Sequence, residues 1–388
     1  MPQGYLNLAM SLMDQFAERT GLSPARVGPK RYLWTDAFAV CTFLELERLT
    51  GLEKYYRLAS DLVGQVHAVL GRHREDDPRT NWISGLSEEE GRRHPTAGGL
   101  RIGKPLNERR PGEPLDERLE WERDGQYFHY LTKWTQALGR FSRRTERSDV
   151  LHWAMELAVS AQRAFTASPG PGQPKRMYWK MSIDLSRPLV PSMGQHDPLD
   201  GLMACLQLMA NHVSEQDTEL SSLDGTYADL AGMAAWINPV TEDPLGIGGL
   251  LQNALIAGRL VAEGQCRDTA LPALLVEAAT SGLNVTAREQ FVLPAASRLA
   301  FRELGLSIGL KAVPRLQGIL DRNTDSFASS TRLKRRLEEL MHELPLACQI
   351  EDFWIKAESR EVPAWQEHLD INTVMLAASV LGGVSPSL

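Results

Sequence analysis

The sequence has few cysteines, and they form no recognisable pattern. The four cysteines, Cys41, Cys205, Cys266 and Cys348, are far apart, and no C-x-x-C pair occurs. This spacing argues against a zinc knuckle and against a disulfide framework. The chain also lacks the phosphate loop G-x-x-x-x-G-K-[ST] and any H-x-x-x-H pair. We therefore expect no metal site and no cofactor.

The sequence also lacks an excess of positive charge and a long apolar run. It carries 42 Lys and Arg against 49 Asp and Glu, a net charge of -7, so charge gives no support for a nucleic-acid partner.

Asp14, Glu18 and Arg19 interrupt the N-terminal segment, so we expect no signal peptide. The most apolar segment, 371–384, is shorter than the ~20 residues that span a bilayer. We expect a cytoplasmic monomer or homodimer that does not bind membranes.

The chain does have helical periodicity along most of its length. Apolar residues recur every three or four positions in 5–19, which predicts an amphipathic helix. The segment 34–50 is apolar on nearly all sides, as a buried helix is, whereas 53–70 has one apolar and one charged side. Together, 34–50 and 53–70 predict a hairpin of an inner and an outer helix.

The same unit recurs along the chain. The further inner and outer helices are predicted at 125–140 with 150–165, 198–213 with 220–236, 246–262 with 269–280, and 295–310 with 329–342. The last inner helix, 371–381, has no partner after it, so pairing it with 5–19 closes a ring of six hairpins. Strand signals are weak, and 178–185 and 188–193 favour only short hairpins inside a loop. The predicted fold is an all-α (α/α)6 barrel, or toroid, in a single domain over 1–388.

The loop lengths are unequal in a systematic way. Connections from an inner to an outer helix are short, whereas those back to the next inner helix are mostly long, at about 71–124, 166–197 and 343–370. Loops of more than ~12–15 residues are usually functional or disordered. These loops would all emerge at the N-terminal ends of the inner helices, with 71–124 as a long insertion, so we expect the active site on that face.

This pattern resembles the six-hairpin glycosidase superfamily of (α/α)6 toroids. The resemblance covers essentially the whole chain and rests on the hairpin count, the circular closure and the one-sided long loops. It implies a substrate pocket on that face. Members include glycoside hydrolases, N-acylglucosamine 2-epimerase-like isomerases and polysaccharide lyases. No catalytic motif of the superfamily matches, so the resemblance implies no role for any single residue, and the fold does not settle the function.

Acidic residues mark nearly every predicted inner-helix start. They are Asp36, Asp124, Asp197, Asp200, Asp243 and Asp370. Each could be a helix cap, because Asp is a preferred N-cap residue and helix N-termini favour negative charge. As a group they could instead meet at one pocket mouth. Asp124 and Asp197, or Asp36, would then form the acid/base pair that cleaves a glycosidic bond.

Histidines stand beside several of these acids. His129 follows Asp124, His196 precedes Asp197, and His368 precedes Asp370. Imidazole titrates near neutral pH and is suited to proton transfer. Paired histidines could therefore move a proton at a sugar carbon, as in an epimerase or isomerase. The alternative is that each is a hydrogen-bonded structural residue.

Residues expected to bind substrate lie at the same face. They are Trp34, His94, Arg101, Trp121, Arg123, Tyr127, Gln195, Asp200 and Asp370. Flat aromatic rings, including Trp179, could stack on sugars, although they also fill cores. The basic loop 92–118 could hold an acidic sugar, although nearby Glu and Asp neutralise much of its charge. The first hypothesis is a glycoside hydrolase. The alternatives are a sugar epimerase using paired His, a lyase or cyclase, and an inert binding protein.

Overall fold

The computed structural model describes residues 3–167, 170, 173, 175–211 and 218–386, with the backbone alone at 218–221. The helices are α1 (Gln3–Arg19), α2 (Leu33–Thr50), α3 (Glu53–Leu70), α4 (Glu88–Arg93), α5 (Glu117–Glu120), α6 (Phe128–Thr145), α7 (Ser148–Phe165), α8 (Asp197–Asn211), α9 (Thr218–Ala234), α10 (Pro244–Ala262), α11 (Leu271–Val285), α12 (Ala300–Leu310), α13 (Val313–Arg322), α14 (Ser330–Met341), α15 (Leu344–Ile355), α16 (Ala357–Arg360), α17 (Pro363–Gln366) and α18 (Leu369–Val380). The strands are β1 (Gln126–Tyr127), β2 (Thr166–Ala167), β3 (Arg176–Met177), β4 (Lys180–Met181) and β5 (Pro188–Val190).

The chain divides into two compact units. Unit 1 is Met1–Phe16, Cys41–Leu52 and Asn238–Leu388, and unit 2 is Ala17–Val40 and Glu53–Ile237. The predicted single domain stays a prediction.

Unit 2 is built around α6. This helix packs against α7 and α8, while α9 packs against both α7 and α8. The apolar residues Leu131, Trp134, Leu138 and Phe141 are all buried, at the three- and four-residue spacing of one helix side. Short strands precede the helix, with β1 antiparallel to β4 and β4 antiparallel to β5. Because Gln126 and Tyr127 belong to β1, α6 begins at Phe128 rather than at the predicted position 125.

Unit 1 is built around α10 and α12. Helix α10 packs against α11, α12 and α13, whereas α12 packs against α15 and α18. Helix α10 is long and apolar enough to cross a membrane by length and composition, but most of it is buried inside the protein. A buried core helix passes the same test, so this is weak support for a membrane span.

The predicted hairpins of α6 with α7, α8 with α9, and α10 with α11 are confirmed. The last two residues of predicted helix 198–213 lie outside the described residues. The predicted pairing of 295–310 with 329–342 is wrong, because α13 intervenes and α12 packs against α15. The predicted long connection 343–370 is also wrong, since it contains α15, α16 and α17. Pro314 and Pro345 lie in the first turns of α13 and α15, where proline is tolerated rather than disruptive.

Glycines allow α10 and α12 to approach closely. A Cβ added at Gly248 would overlap the carbonyl oxygen of Gly305, and one added at Gly309 would overlap the backbone of Gly248. A Cβ added at the neighbouring Gly249 would lie in open space. The backbones of two helices therefore touch at Gly248, where any side chain would force them apart.

We expect Gly248→Ala to lower the free energy of unfolding by about 1–3 kcal/mol through overpacking. Gly249→Ala is the matched control. It should be neutral or stabilising by up to about 1 kcal/mol, because alanine is the better helix former. Urea denaturation of the two variants measures the difference. Equal stability of the two variants would contradict the close helix contact.

Candidate functional site

The candidate site lies in unit 2, where β1 leads into α6. Tyr127 ends the strand with an extended backbone and occupies the N-cap position of α6 without a side-chain cap. The first turn then carries His129 and Tyr130. Pairing of Tyr127 with Lys180 in the neighbouring strand fixes where this helix begins.

A cluster of rings lines this helix start, which we call the aromatic wall. Its members are Tyr32, Trp121, Tyr127, His129, Tyr130 and Trp179. The Tyr127 ring stacks on His129 with centroids 5.3 Å apart and packs against Trp179 at 4.8 Å. Tyr130 meets His129 edge-on at 4.8 Å, and its hydroxyl is 2.7 Å from that of Tyr32. The Tyr127 hydroxyl is buried, and no residue that the structure describes forms a hydrogen bond with it. Such rings can stack on sugar faces.

Two titratable pairs join α6 to the first turn of α8. His129 Nδ1 lies 3.6 Å from Asp197 Oδ1, and Lys133 Nζ lies 3.6 Å from Asp200 Oδ1. His129 and Lys133 are four residues apart, so they lie on the same face of α6. Asp197 and Asp200 are three residues apart, so they lie on the same face of α8. One turn further on, Gln136 Nε2 donates to Gln207 Oε1 at 2.9 Å. A polar stripe thus runs along the contact between the two helices.

The environment favours the neutral forms of His129 and Asp197. Burial, with a contribution from the charge of Asp200, raises the pKa of Asp197 to about 8. Burial lowers the pKa of His129 to about 4, and Lys133 adds to this while Asp200 opposes it. The Asp197 atom Oδ2 is buried and has no hydrogen-bond partner among the described residues. Near neutral pH the site therefore holds a protonated carboxyl beside a neutral imidazole.

Exposure distinguishes the two members of this pair. The His129 side chain is 28% exposed and that of Asp197 only 5%. The imidazole is therefore the member that a ligand can reach more easily. A buried acid with a shifted pKa that contacts a reachable base is an arrangement common in active sites.

Asp124 lies in a different environment from Asp197. Its carboxylate is fully buried and accepts from Arg101 Nη1 at 2.6 Å and from Arg74 Nη1 at 3.4 Å. It also accepts from the backbone N–H groups of Gly103 and Gly125, at 3.0 and 3.1 Å. Both oxygens are therefore occupied, which suits an organising role better than proton transfer.

The other predicted residues of unit 2 are mostly engaged in structural contacts. Asp36, in the first turn of α2, accepts from the N–H of Tyr32 just before the helix at 3.0 Å and lies 3.4 Å from Arg31. Trp34 is buried against Phe38 at 4.4 Å.

Four of the remaining predicted residues lie in loops around the site. Arg123 holds Glu113 at 2.5 Å, while Trp121 is half exposed and packs edge-on against Trp179 at 5.0 Å. Gln195 is exposed and His196 half-buried, in the turn before α8.

The remaining predicted residues are His94, His368 and Asp370. His94 Nδ1 is 2.9 Å from Glu156 Oε1 on the outer helix α7. His368 and Asp370 lie at the start of α18 in unit 1, where the His368 ring packs edge-on against Phe301 at 5.5 Å. No group of three or more His, Cys, Asp or Glu side chains within the described part of the chain could hold a metal ion.

Lys133 and Tyr32 lie in the site but were not predicted from the sequence. The spacing of Lys133, one turn after His129, was the available signal, because residues four apart share a helix face. Tyr32 offered no signal, since its contact with Tyr130 joins positions 98 residues apart.

No family model matches the chain, and no curated protein matches it. Among solved structures it is similar to the α-1,6-mannanase GH76A from Salegentibacter sp. HEL1_6, with 11% identity over 97% of this chain and 99% of that chain and a TM-score of 0.50. Inactive variants of that mannanase, with two consecutive aspartates replaced, were solved with α-1,6-mannotriose and α-1,6-mannotetrose, each at a TM-score of 0.51. The cellobiose 2-epimerase from Bacillus thermoamylovorans B4167 matches at 9% identity over 87% of each chain, with a TM-score of 0.46.

The likeness to the mannanase structures shows the fold. The chain has the all-α (α/α)6 toroid fold, which confirms the predicted fold class. At 11% identity the likeness shows nothing beyond the fold.

The ion cluster around Asp124 should contribute strongly to the stability of the fold. Asp124→Asn should lower the free energy of unfolding by about 3–5 kcal/mol, because it leaves the buried Arg101 guanidinium without its carboxylate and removes one of the two acidic partners of Arg74. The control is Asp76→Asn, which removes an exposed partner of the same Arg74 and should cost at most about 1 kcal/mol. Chemical denaturation compares the two. A loss no larger at Asp124 than at Asp76 would refute the organising role.

The raised pKa of Asp197 predicts a pH-dependent stability difference. Since its ordinary value of 3.8 rises to about 8 in the folded protein, the folded state binds more protons between these values. Wild type should therefore lose stability relative to Asp197→Asn as pH rises from 5 to 8, by up to about 1.4 kcal/mol per pH unit. Urea melts at pH 5 and pH 8 test this.

The control for that measurement is Asp61→Asn on the exposed side of α3, which makes the same substitution away from the cluster. Its stability difference from wild type should stay flat over the same range. A flat difference for Asp197→Asn as well would mean that Asp197 is ionised in the folded protein.

Proposed function

We propose that the protein is a carbohydrate-active enzyme, a glycoside hydrolase, in which Asp197 is the general acid. The observation that carries this proposal is the buried Asp197 carboxyl, whose pKa is raised to about 8. A carboxyl group that keeps its proton near neutral pH can protonate the leaving oxygen of a glycosidic bond.

Asp200 supplies the second carboxylate of the proposed reaction. It lies three residues after Asp197 on the same face of α8, and Lys133 stands 3.6 Å away to balance its negative charge. In a hydrolase this group either activates a water molecule or attacks the sugar carbon, and the separation of the two carboxyl groups decides which. The pair Asp197 and Asp200 thus replaces the pair Asp197 and Asp124 expected from the sequence.

The aromatic wall fits a sugar ligand. Tyr127 and Trp179 pack closely, and His129, which stacks on Tyr127, is the reachable polar group beside the proposed acid. A sugar ring stacked on this wall could accept or donate hydrogen bonds through His129.

The mannanase likeness supports the reaction class through the fold, and this chain departs from it in one respect. The mannanase variants that replace two consecutive aspartates are inactive. The one pair of consecutive aspartates here, Asp76 and Asp77, is ion-paired to Arg74 and Arg79. We therefore assign the acid and base to carboxylates in α8 instead.

Sugar epimerisation is the second candidate. The observation that favours it is the neutral imidazole of His129 in contact with a protonated Asp197. Such a pair could remove a proton from a sugar carbon and return it.

The hydrolase proposal predicts a loss of turnover in two variants. On a panel of aryl glycosides, Asp197→Asn and Asp200→Asn should each lower kcat/KM by about 10²–10⁴-fold, the usual contribution of a general acid or base. The control Asp61→Asn should leave the rate unchanged. Near wild-type turnover in both site variants would exclude this pair.

The pH profile provides a second measurement. Activity should fall as pH rises through about 8, because Asp197 then loses the proton that it must donate. Any residual activity of Asp200→Asn should fall at lower pH than that of wild type, because the charge of Asp200 helps to raise the pKa of Asp197. An unshifted profile would show that the two carboxyls do not interact.

Deuterium uptake separates the two candidate functions. A hydrolase should release free sugar without deuterium at carbon when the reaction runs in heavy water. An epimerase should incorporate solvent deuterium at one carbon of recovered sugar, and His129→Gln should abolish that incorporation. Uptake without hydrolysis would replace the first proposal with the second.

A further inference from the structure

Lys104 is a half-buried cation at the aromatic wall. Its Nζ lies 5.6 Å from the centroid of the Tyr32 ring. Among the residues that the structure describes, no carboxylate oxygen lies within 4.0 Å of this ammonium. Burial lowers the pKa of Lys104, while Glu122 and Asp124 act in the opposite direction from a greater distance. A partly desolvated ammonium of this kind gains free energy from a bound anion.

The arginines of the basic loop 92–118 do not offer an equivalent site. Four of them are committed to acidic partners, namely Arg92 to Glu88, Arg93 to Glu89, Arg101 to Asp124, and Arg109 to Glu120. Arg110 and Arg118 are exposed on the surface. Lys104 is therefore the residue of this loop whose charge is partly buried and can bind an anion beside the aromatic wall.

The backbone that carries Lys104 is held firmly in place. The Lys104 carbonyl accepts from Arg74 Nη1 at 2.6 Å, and the N–H of Gly103 donates to Asp124 at 3.0 Å. Gly103 has a positive φ of 92°, and a Cβ there would overlap the carbonyl oxygen of Arg31. Asp124 and Arg74 thus fix the point from which the Lys104 side chain extends, which lowers the entropy cost of binding.

A continuous series of contacts links Lys104 to the proposed acid and base. The ammonium lies over Tyr32, the Tyr32 hydroxyl meets that of Tyr130 at 2.7 Å, and Tyr130 packs against His129 at 4.8 Å. Lys104 and His129 therefore lie at two ends of the same aromatic surface. A saccharide stacked along it would have one end near the acid/base pair and another near a cation.

We propose that Lys104 binds the carboxylate of an acidic sugar, so that the substrate class is a uronate-containing saccharide. This inference rests on the carbohydrate site proposed above. A single ammonium balances the single charge of a carboxylate, whereas recognition of a doubly charged phosphate ester commonly uses more than one donor group.

Binding measured without turnover tests the inference. Titration calorimetry would compare glucuronate, glucose and glucose 6-phosphate on wild type. Glucuronate should bind at least about tenfold more tightly than glucose, as a charge-assisted hydrogen bond would provide. Lys104→Met should remove that preference, and Lys104→Arg should retain most of it because the charge remains.

Lys54→Met is the matched control, since Lys54 also lies over a tyrosine ring, at 4.5 Å, but on the exposed side of α3. It should keep the preference for glucuronate. Equal binding of glucuronate and glucose by wild type, or a preference that survives in Lys104→Met, would overturn the inference. Tighter binding of glucose 6-phosphate than of glucuronate would also overturn it.

The outcomes distinguish this inference from the proposed reaction. If the Lys104-dependent preference for glucuronate is found but no glycoside is cleaved, the hydrolase assignment fails while the acidic-sugar site stands. If a neutral glycoside is cleaved in an Asp197-dependent reaction and glucuronate shows no preference, only the role of Lys104 fails.

Discussion

The candidate site depends on one buried carboxylate, Asp124, held between Arg101 and Arg74. Burying these charges costs several kcal/mol, and that cost is offset only when the remaining donors and acceptors are satisfied. They are well satisfied here, because Arg101 also donates to the backbone carbonyls of Val69 and Arg72, at and just beyond the end of α3. The cluster thereby ties the end of one helix to the loop that carries Lys104 and to the strand that leads into α6. The positions of the cation, the aromatic wall and His129 all follow from it.

Helix α6 contributes to both the core and the candidate site because its two sides carry different residues. Leu131, Trp134 and Leu138 are buried as core residues, whereas His129, Lys133 and Gln136 form a polar stripe toward α8. Polar groups buried between helices are costly unless each finds a partner. Each of these three has one across the contact, in Asp197, Asp200 and Gln207 respectively. The site can therefore be mostly buried, which shifts pKa values, without breaking the packing of the helices.

The sequence predicted more of the fold than of the site, for a physical reason. Helical periodicity is local, so α3 was predicted with the bounds that the structure has, and α6, α7 and α10 to within a few residues. The errors came from Pro314 and Pro345, which begin helices but were interpreted as part of connections. Side-chain partners are not local, so no pattern could show that Asp124 faces Arg101 while Asp197 faces His129. A single domain, a cytoplasmic location and a monomeric or homodimeric state stay predictions.

Asp124 and Asp197 show why residue type at a helix start cannot by itself identify a catalyst. Both are buried aspartates that the sequence places just before or at the start of an inner helix. Asp124 receives two guanidinium groups and two backbone N–H groups, so both of its oxygens are occupied by donors. Asp197 has one oxygen that receives no donor from the described part of the chain, a second carboxylate nearby and little solvent, an environment that stabilises the neutral form. The same side chain is therefore a structural anchor in one place and a proton-bearing acid in the other, and the difference lies in the number of donors that surround it.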